Sequence, residues 1–166
     1  MSDDIINKAL RLIKKYKTSN PYTIAEGEGA EVAFYDIGSL KGMYINKWDH
    51  RYIVINDALD EYVQKLICAH ELAHDQLHRD IAADSWLREF MLYDMSSRIE
   101  YEANLFAAEL ILLDSDVIEL CQCGYDIHQI AKELCTDVNL VAIKLGTLAK
   151  KGYDIRKFEF RDDFLK

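Results

Sequence analysis

The feature that most constrains this chain is His70-Glu71-Leu72-Ala73-His74, set inside an unbroken helical pattern. From Asp60 to His78 there is no Gly or Pro, and Tyr62, Leu66, Ala69, Ala73 and Leu77 recur at helical spacing, which predicts a long helix with one buried face. Asp57 or Asp60 can cap its start. A spacing of four puts both imidazoles on one helix face, about one turn apart, where they can grip one metal ion. Glu71 is turned by about 100° from His70, outside the two-histidine grip but close enough to serve as general base toward a water activated there. The plainer alternative is two helix histidines that satisfy local hydrogen bonds. The position of the motif, on an amphipathic helix directly after β-prone segments, favours the metal site.

A catalytic zinc takes three protein ligands and keeps one open position, so a third ligand must come from elsewhere in the chain. Asp80 lies six residues beyond His74, but a ligand so placed needs a tight turn, usually at a glycine, where this chain has Leu77. Glu100 is the better candidate. It lies in Glu100-Tyr101-Glu102-Ala103-Asn104, on a second segment with strong helical pattern. Glu100 and Asn104 share a face one turn apart, so one can ligate while the other hydrogen-bonds a ligating histidine. Glu102 is rotated by about 200° from Glu100 and should point elsewhere. His78 continues the His70-His74 row and reads as a helix-end residue. A solvated run of surface acids is the ordinary reading of such a stretch, and its position after the histidine helix lifts Glu100 above it.

Around these two helices the chain reads as α+β. Ser2 to Lys17 is expected to be a helix, stopped by Asn20-Pro21, with Ile5, Ile6, Ala9, Leu10 and Ile13 forming its apolar stripe. Tyr22 to Ala30, rich in Gly and Glu, reads as a loop or flap. Glu31 to Ile37, Gly42 to Asn46 and Arg51 to Asn56 are β-prone runs joined by hairpin-length connections, which predicts a small antiparallel three-stranded sheet packed on the zincin-like helix. Asp80 to Asp94 suggests a short helix or packed lid. The second strong helix starts at Ser96 or Ser97 and runs through Leu113. Beyond it, Ile127 to Leu134 and Asn139 to Lys150, around a turn at Thr136-Asp137, have helix-turn-helix proportions, and the tail from Gly152 reads as an extended arm. The expected division is a metal-site domain over 1–113 and a helical appendage over 114–166 packed on it.

Composition excludes several classes. A formal net charge of -9 repels a phosphate backbone and argues against direct nucleic-acid binding. Within the helix-turn-helix-like segment, Asp126, Glu133 and Asp137 stand against Lys132, Lys144, Lys150 and Lys151, a net of +1 that is thin for a duplex reader. No apolar run reaches the roughly 20 residues of a membrane span, and Met1-Ser2-Asp3-Asp4 does not start like a signal peptide, so a cytoplasmic location without membrane association is expected. Four cysteines, Cys68, Cys121, Cys123 and Cys135, are expected to be free thiols; the Cys121-Gln122-Cys123 pair lacks the spacing of a zinc ribbon.

Several strings together carry a resemblance: Gly42-Met43-Tyr44-Ile45-Asn46, Ile53-Val54-Ile55-Asn56, the extended motif His70 to His78, and Glu100 to Leu110. From about Gly42 to Leu113 the chain resembles the ImmA/IrrE family of metallo-endopeptidases. The resemblance implies zinc bound by His70, His74 and Glu100, with Glu71 activating water. It also implies a helix-turn-helix transcriptional repressor as substrate, cleaved to release the genes it silences. The stretch after Leu113 is short for the large extra domain of radiation-response members, so the anti-repressor of a temperate phage or mobile element is the expected type. The competing expectation is a zinc-binding regulator or toxin that binds a partner without cutting it. Substrate is expected to add as a strand along Arg51 to Asn56. Tyrosines, His50, His78 or His128 are candidate donors to the oxyanion.

Overall fold

The computed structural model describes residues 2–48, 50–80, 87–89 and 97–154, with 87–89 defined through the backbone alone. The chain divides into two units, Met1–Ile111 and Leu112–Lys166.

In the first unit, α1 (Ser2–Tyr16) carries Asp3 and Asp4 in its first turn and Lys14 and Lys15 in its last, each matched to the sign of the helix dipole. Its buried face is Ile5, Ile6, Ala9 and Leu12, so Leu12 takes the place expected for Leu10, which is exposed. The segment expected to be a loop instead forms α2 (Pro21–Gly27). α1 ends at Tyr16, where Lys17 turns the chain with φ +54°, before the Asn20-Pro21 step expected to stop it; Asn20-Pro21 instead starts the next helix, the Asn20 side chain accepting from the Tyr22 N–H and Pro21 being preset for the first helical position. Ile24 and Ala25 are fully buried, which anchors this short helix. A Cβ at Gly27 would stand 2.3 Å from the Tyr16 ring, so a larger residue there would displace that ring.

Strands β1 (Glu31–Tyr35), β2 (Gly42–Lys47), β3 (His50–Asn56) and β4 (Leu87–Glu89) form a mixed sheet in the order β1-β3-β2-β4. The α+β class is as expected, and β2 and β3 form the expected antiparallel hairpin, but two features differ. β1 pairs parallel to β3, with Val32 opposite Ile53 and Phe34 opposite Ile55, and β4 adds a fourth strand antiparallel to β2. The β1–β2 connection is therefore a crossover to the far side of β3. Buried Asn56 holds it there, its amide donating to Gly38 O at 3.0 Å and Leu40 O at 2.7 Å. Because β3 lies between β1 and β2, it has no free edge, and the expected strand addition along 51–56 is ruled out. Leu87–Glu89, within the segment expected to be a helix or lid, is a strand; the rest of 81–96 and the tail beyond 154 lie outside the described residues.

Helix α3 (Glu61–Leu77) crosses the face of this sheet, and α4 (Arg98–Ile111) packs along α3 on its other side, with α1 against α4. The Ser97 hydroxyl accepts from the Glu100 N–H at 3.2 Å and starts α4. Ala103, Ala107 and Ala108 are fully buried, and these small side chains let the two helices approach closely. One buried ion pair locks α3 to the sheet. Asp75, with no exposure, accepts from Tyr44 Oη at 2.8 Å and from Arg51 Nη1 at 2.8 and 3.0 Å.

The second unit contains α5 (Asp114–Gln122), α6 (Ile127–Glu133) and α7 (Val138–Lys150). Asp126 and Gln129 make a reciprocal capping box at α6, and Asp137 caps α7. Val117, Ile130, Leu140, Val141 and Leu148 are buried. Lys144 is buried as well and meets Asp114 at 2.5 Å, while Lys151 meets the other Asp114 oxygen at 2.7 Å. Two of the four lysines counted as surface charge in this segment are thus engaged by one aspartate.

Candidate metal centre

His70 and His74 project from α3 toward α4 because residues four apart share a helix face. Glu100 stands on the first turn of α4 and meets them. The distances are 3.1 Å from His70 Nε2 to His74 Nε2, 3.1 Å from His70 Nε2 to Glu100 Oε2, and 3.8 Å from His74 Nε2 to Glu100 Oε2. A tetrahedral ion with bonds of ~2.0–2.1 Å holds its ligand atoms about 3.3 Å apart, which these three edges straddle. Three electron-pair donors at such separations repel one another unless a proton or cation lies among them. Both histidines are buried and Glu100 is half-buried, so the donors sit at the edge of the core with one side toward solvent. Among the described residues this is the one group of three or more His, Cys, Asp or Glu side chains whose ligand atoms converge this way.

The electrostatics suit ligation. Burial is the dominant influence on His74 and pushes its pKa down to about 4, so the imidazole is neutral with a lone pair to give. Burial alone would raise the Glu100 carboxyl, but hydrogen bonding to His70 and His74 outweighs it and holds the group well below the usual carboxylate range. His70 Nδ1 donates to Asn104 Oδ1 at 3.0 Å, which leaves its Nε2 facing the centre. Asn104 thus takes the supporting place expected of the residue one turn after Glu100.

Glu71 is buried, with its carboxylate beside β2. A Cβ on Gly42 would stand 3.0 Å from Glu71 Oε1 and 2.3 Å from Ile67 Cγ2, so β2 passes close to the carboxylate and a side chain at position 42 would displace buried Ile67. The other candidates lie elsewhere. Asp80 is exposed and outside the cluster. His50 is exposed at the start of β3, where its ring stacks on Tyr52, and His128 is exposed in the second unit. Tyr44 is committed to Asp75. All four cysteines are free; Cys68 and Cys121 are buried, Cys123 and Cys135 exposed.

Sequence reasoning missed the surroundings of His78. This residue ends α3, as expected, but it is buried, with Nδ1 3.1 Å from His74 Nδ1 and Nε2 3.2 Å from Glu102 Oε2. The fourfold spacing of His70, His74 and His78 was the available signal.

Comparison with known proteins agrees with the geometry. The pattern of the IrrE N-terminal-like domain, a peptidase family, matches residues 25–145. The chain is 38% identical over 122 residues to the uncharacterized immunity region protein 2 of Bacillus phage phi105, covering 73% of this chain and 76% of the relative. It is 31% identical over 138 residues to the metallopeptidase ImmA of Bacillus subtilis (strain 168), covering 78% of this chain and 77% of the relative.

Proposed function

Because this chain belongs to the IrrE N-terminal-like family of metallopeptidases, we propose that it is a zinc-dependent endopeptidase, and that its substrate is a helix-turn-helix transcriptional repressor. The observation that carries the zinc reading is the convergence of His70, His74 and Glu100, whose ligand atoms all lie within 4.8 Å of one another. Two imidazoles and one carboxylate are a common donor set for catalytic zinc, with a fourth position left open. A zinc ion held there supplies Lewis acidity, making a water more acidic and a peptide carbonyl more electrophilic.

The chain's own residues do the rest. Glu71 takes a proton from the attacking water as the new C–O bond forms, then delivers it to the leaving amine as the C–N bond breaks. Gly42, lacking a side chain, lets β2 pass close to that carboxylate. Asn104 holds His70 by its outer nitrogen. A dead metal-binding protein has no use for an acid at position 71, and this favours catalysis over a regulator or toxin that only binds.

The repressor reading rests on the relatives: one named for a phage immunity region and one for a metallopeptidase. A cytoplasmic anti-repressor of a phage or mobile element fits them, and among the described residues no helix is long and apolar enough to cross a membrane. The test is co-expression with each helix-turn-helix repressor encoded by the same genome, followed by intact mass spectrometry. Native protein should yield two repressor fragments whose masses sum to the whole plus water, and Glu71→Gln should yield none. Repressors that all stay intact beside zinc-loaded native protein overturn the repressor reading and favour partner binding without cleavage.

A further inference from the structure

His74 is supported by a hydrogen-bonded chain that runs from α3 to α4. His70 Nδ1 meets the Asn104 amide oxygen. His74 Nδ1 faces His78 Nδ1 at 3.1 Å, His78 Nε2 faces Glu102 Oε2 at 3.2 Å, and Glu102 Oε1 accepts from Arg98 Nε at 2.7 Å. Both imidazoles are buried, whereas Glu102 and Arg98 lie toward the surface of α4. Residues 100 and 102 therefore divide the work: Glu100 meets the ligand cluster and Glu102 meets the next turn of α3.

The proton positions along this chain follow from one another. His74 can offer Nε2 as a ligand only if its proton is on Nδ1, and that proton must be donated to the atom facing it, His78 Nδ1. His78 Nδ1 must then be unprotonated, so the His78 proton is on Nε2 and is donated to Glu102. Run the other way, the chain puts the His74 proton on Nε2 and removes the ligand. An ionised carboxylate only accepts, so Glu102 sets the direction for both rings. Arg98 keeps that carboxylate charged and oriented.

We propose that His78 and Glu102 are positioning residues of the metal centre, which together hold His74 in the tautomer whose Nε2 binds the ion. This rests on the zinc reading given above. Supports of this kind typically tune metal affinity by roughly 10–100-fold.

The experiment measures zinc affinity of the full chain by competition with a chromophoric chelator, together with the visible absorption of the cobalt-substituted protein. His78→Phe, which keeps a planar ring but accepts no hydrogen bond, should weaken zinc roughly 10–100-fold and alter the cobalt bands. His78→Gln, whose amide oxygen can accept from His74 Nδ1, should recover most of the affinity. Glu102→Ala should weaken zinc, and Glu102→Gln less so; this second pair, on the exposed side, serves if His78→Phe does not fold. A merely structural role predicts equal effects of Phe and Gln at 78. That result, or native affinity in His78→Phe or in Glu102→Ala, overturns the proposal while native zinc binding stands. A native protein that takes up no zinc overturns the metal reading and this proposal together.

Discussion

Helices α3 and α7 both bury charged or ionisable side chains, and they do so to different ends. In α7, Lys144 meets Asp114, and the Thr147 hydroxyl donates back to the Lys144 carbonyl. In α3, Asp75 is closed in a similar way by Tyr44 and Arg51, but its chain neighbour His74, together with His70, turns electron pairs toward a shared point with Glu100. Closed pairs hold a fold together; convergent donors prepare a site. Burial of a polar group does not separate these cases, but the direction of its lone pairs does.

The sharpest way to break this comparison is at the site. Glu71→Gln should lower peptide cleavage on the order of 10²–10⁴-fold, the usual contribution of a general base, with bound zinc retained. Loss of zinc in that variant would make Glu71 part of the grip instead. Next comes the closed pair of α3. Asp75→Ala strips a fully buried partner from Arg51 and Tyr44 and should cost about 3 kcal/mol in urea unfolding, near the lower end for a broken buried pair. Zinc taken up at saturation should be unchanged.

Acid provides a subtler contrast. In the metal-free protein His74 is held at about 4, against 6.5 for the free side chain, so the unfolded chain binds more protons between those values and stability falls as pH drops from 6.5 toward 4. The lowered Asp114 carboxyl, stabilised by Lys144 and Lys151 against the cost of burial, gives up its contribution only as pH falls below its ordinary 3.8. Urea unfolding of the first unit's signal in chelator should therefore weaken at a higher pH than that of the second unit; a flat midpoint from pH 7 to 4.5 would contradict this. The smallest effect is expected from Asp114→Ala. It removes an ion partner from buried Lys144 but is itself one-third exposed, so about 1–2 kcal/mol is expected by urea unfolding. A cost larger than that of Asp75→Ala would reverse the comparison.

Much of the geometry of the candidate centre was legible because helix periodicity alone places His70 beside His74 and Glu100 beside Asn104. What escaped was set by partners distant in sequence. Lys144 reads as a surface lysine until Asp114, thirty positions earlier, is found beside it. His78 reads as a helix end until Glu102 arrives from α4. The parallel β1–β3 pairing was hidden because Gly38 to Lys41 is short enough for a hairpin, and only the Asn56 amide reveals the crossover. Helix α2 was hidden by local composition: Gly27 and Gly29 look like loop residues, yet one makes room for Tyr16 and the other turns the chain at φ +84° just after the helix.

The most direct test of the account is elemental mass spectrometry of the purified protein alongside Glu100→Ala. The account predicts about one zinc per native chain and far less in the variant, as removal of one of three ligands requires. Equal zinc in both proteins, or none in the native chain when zinc is supplied, would contradict it.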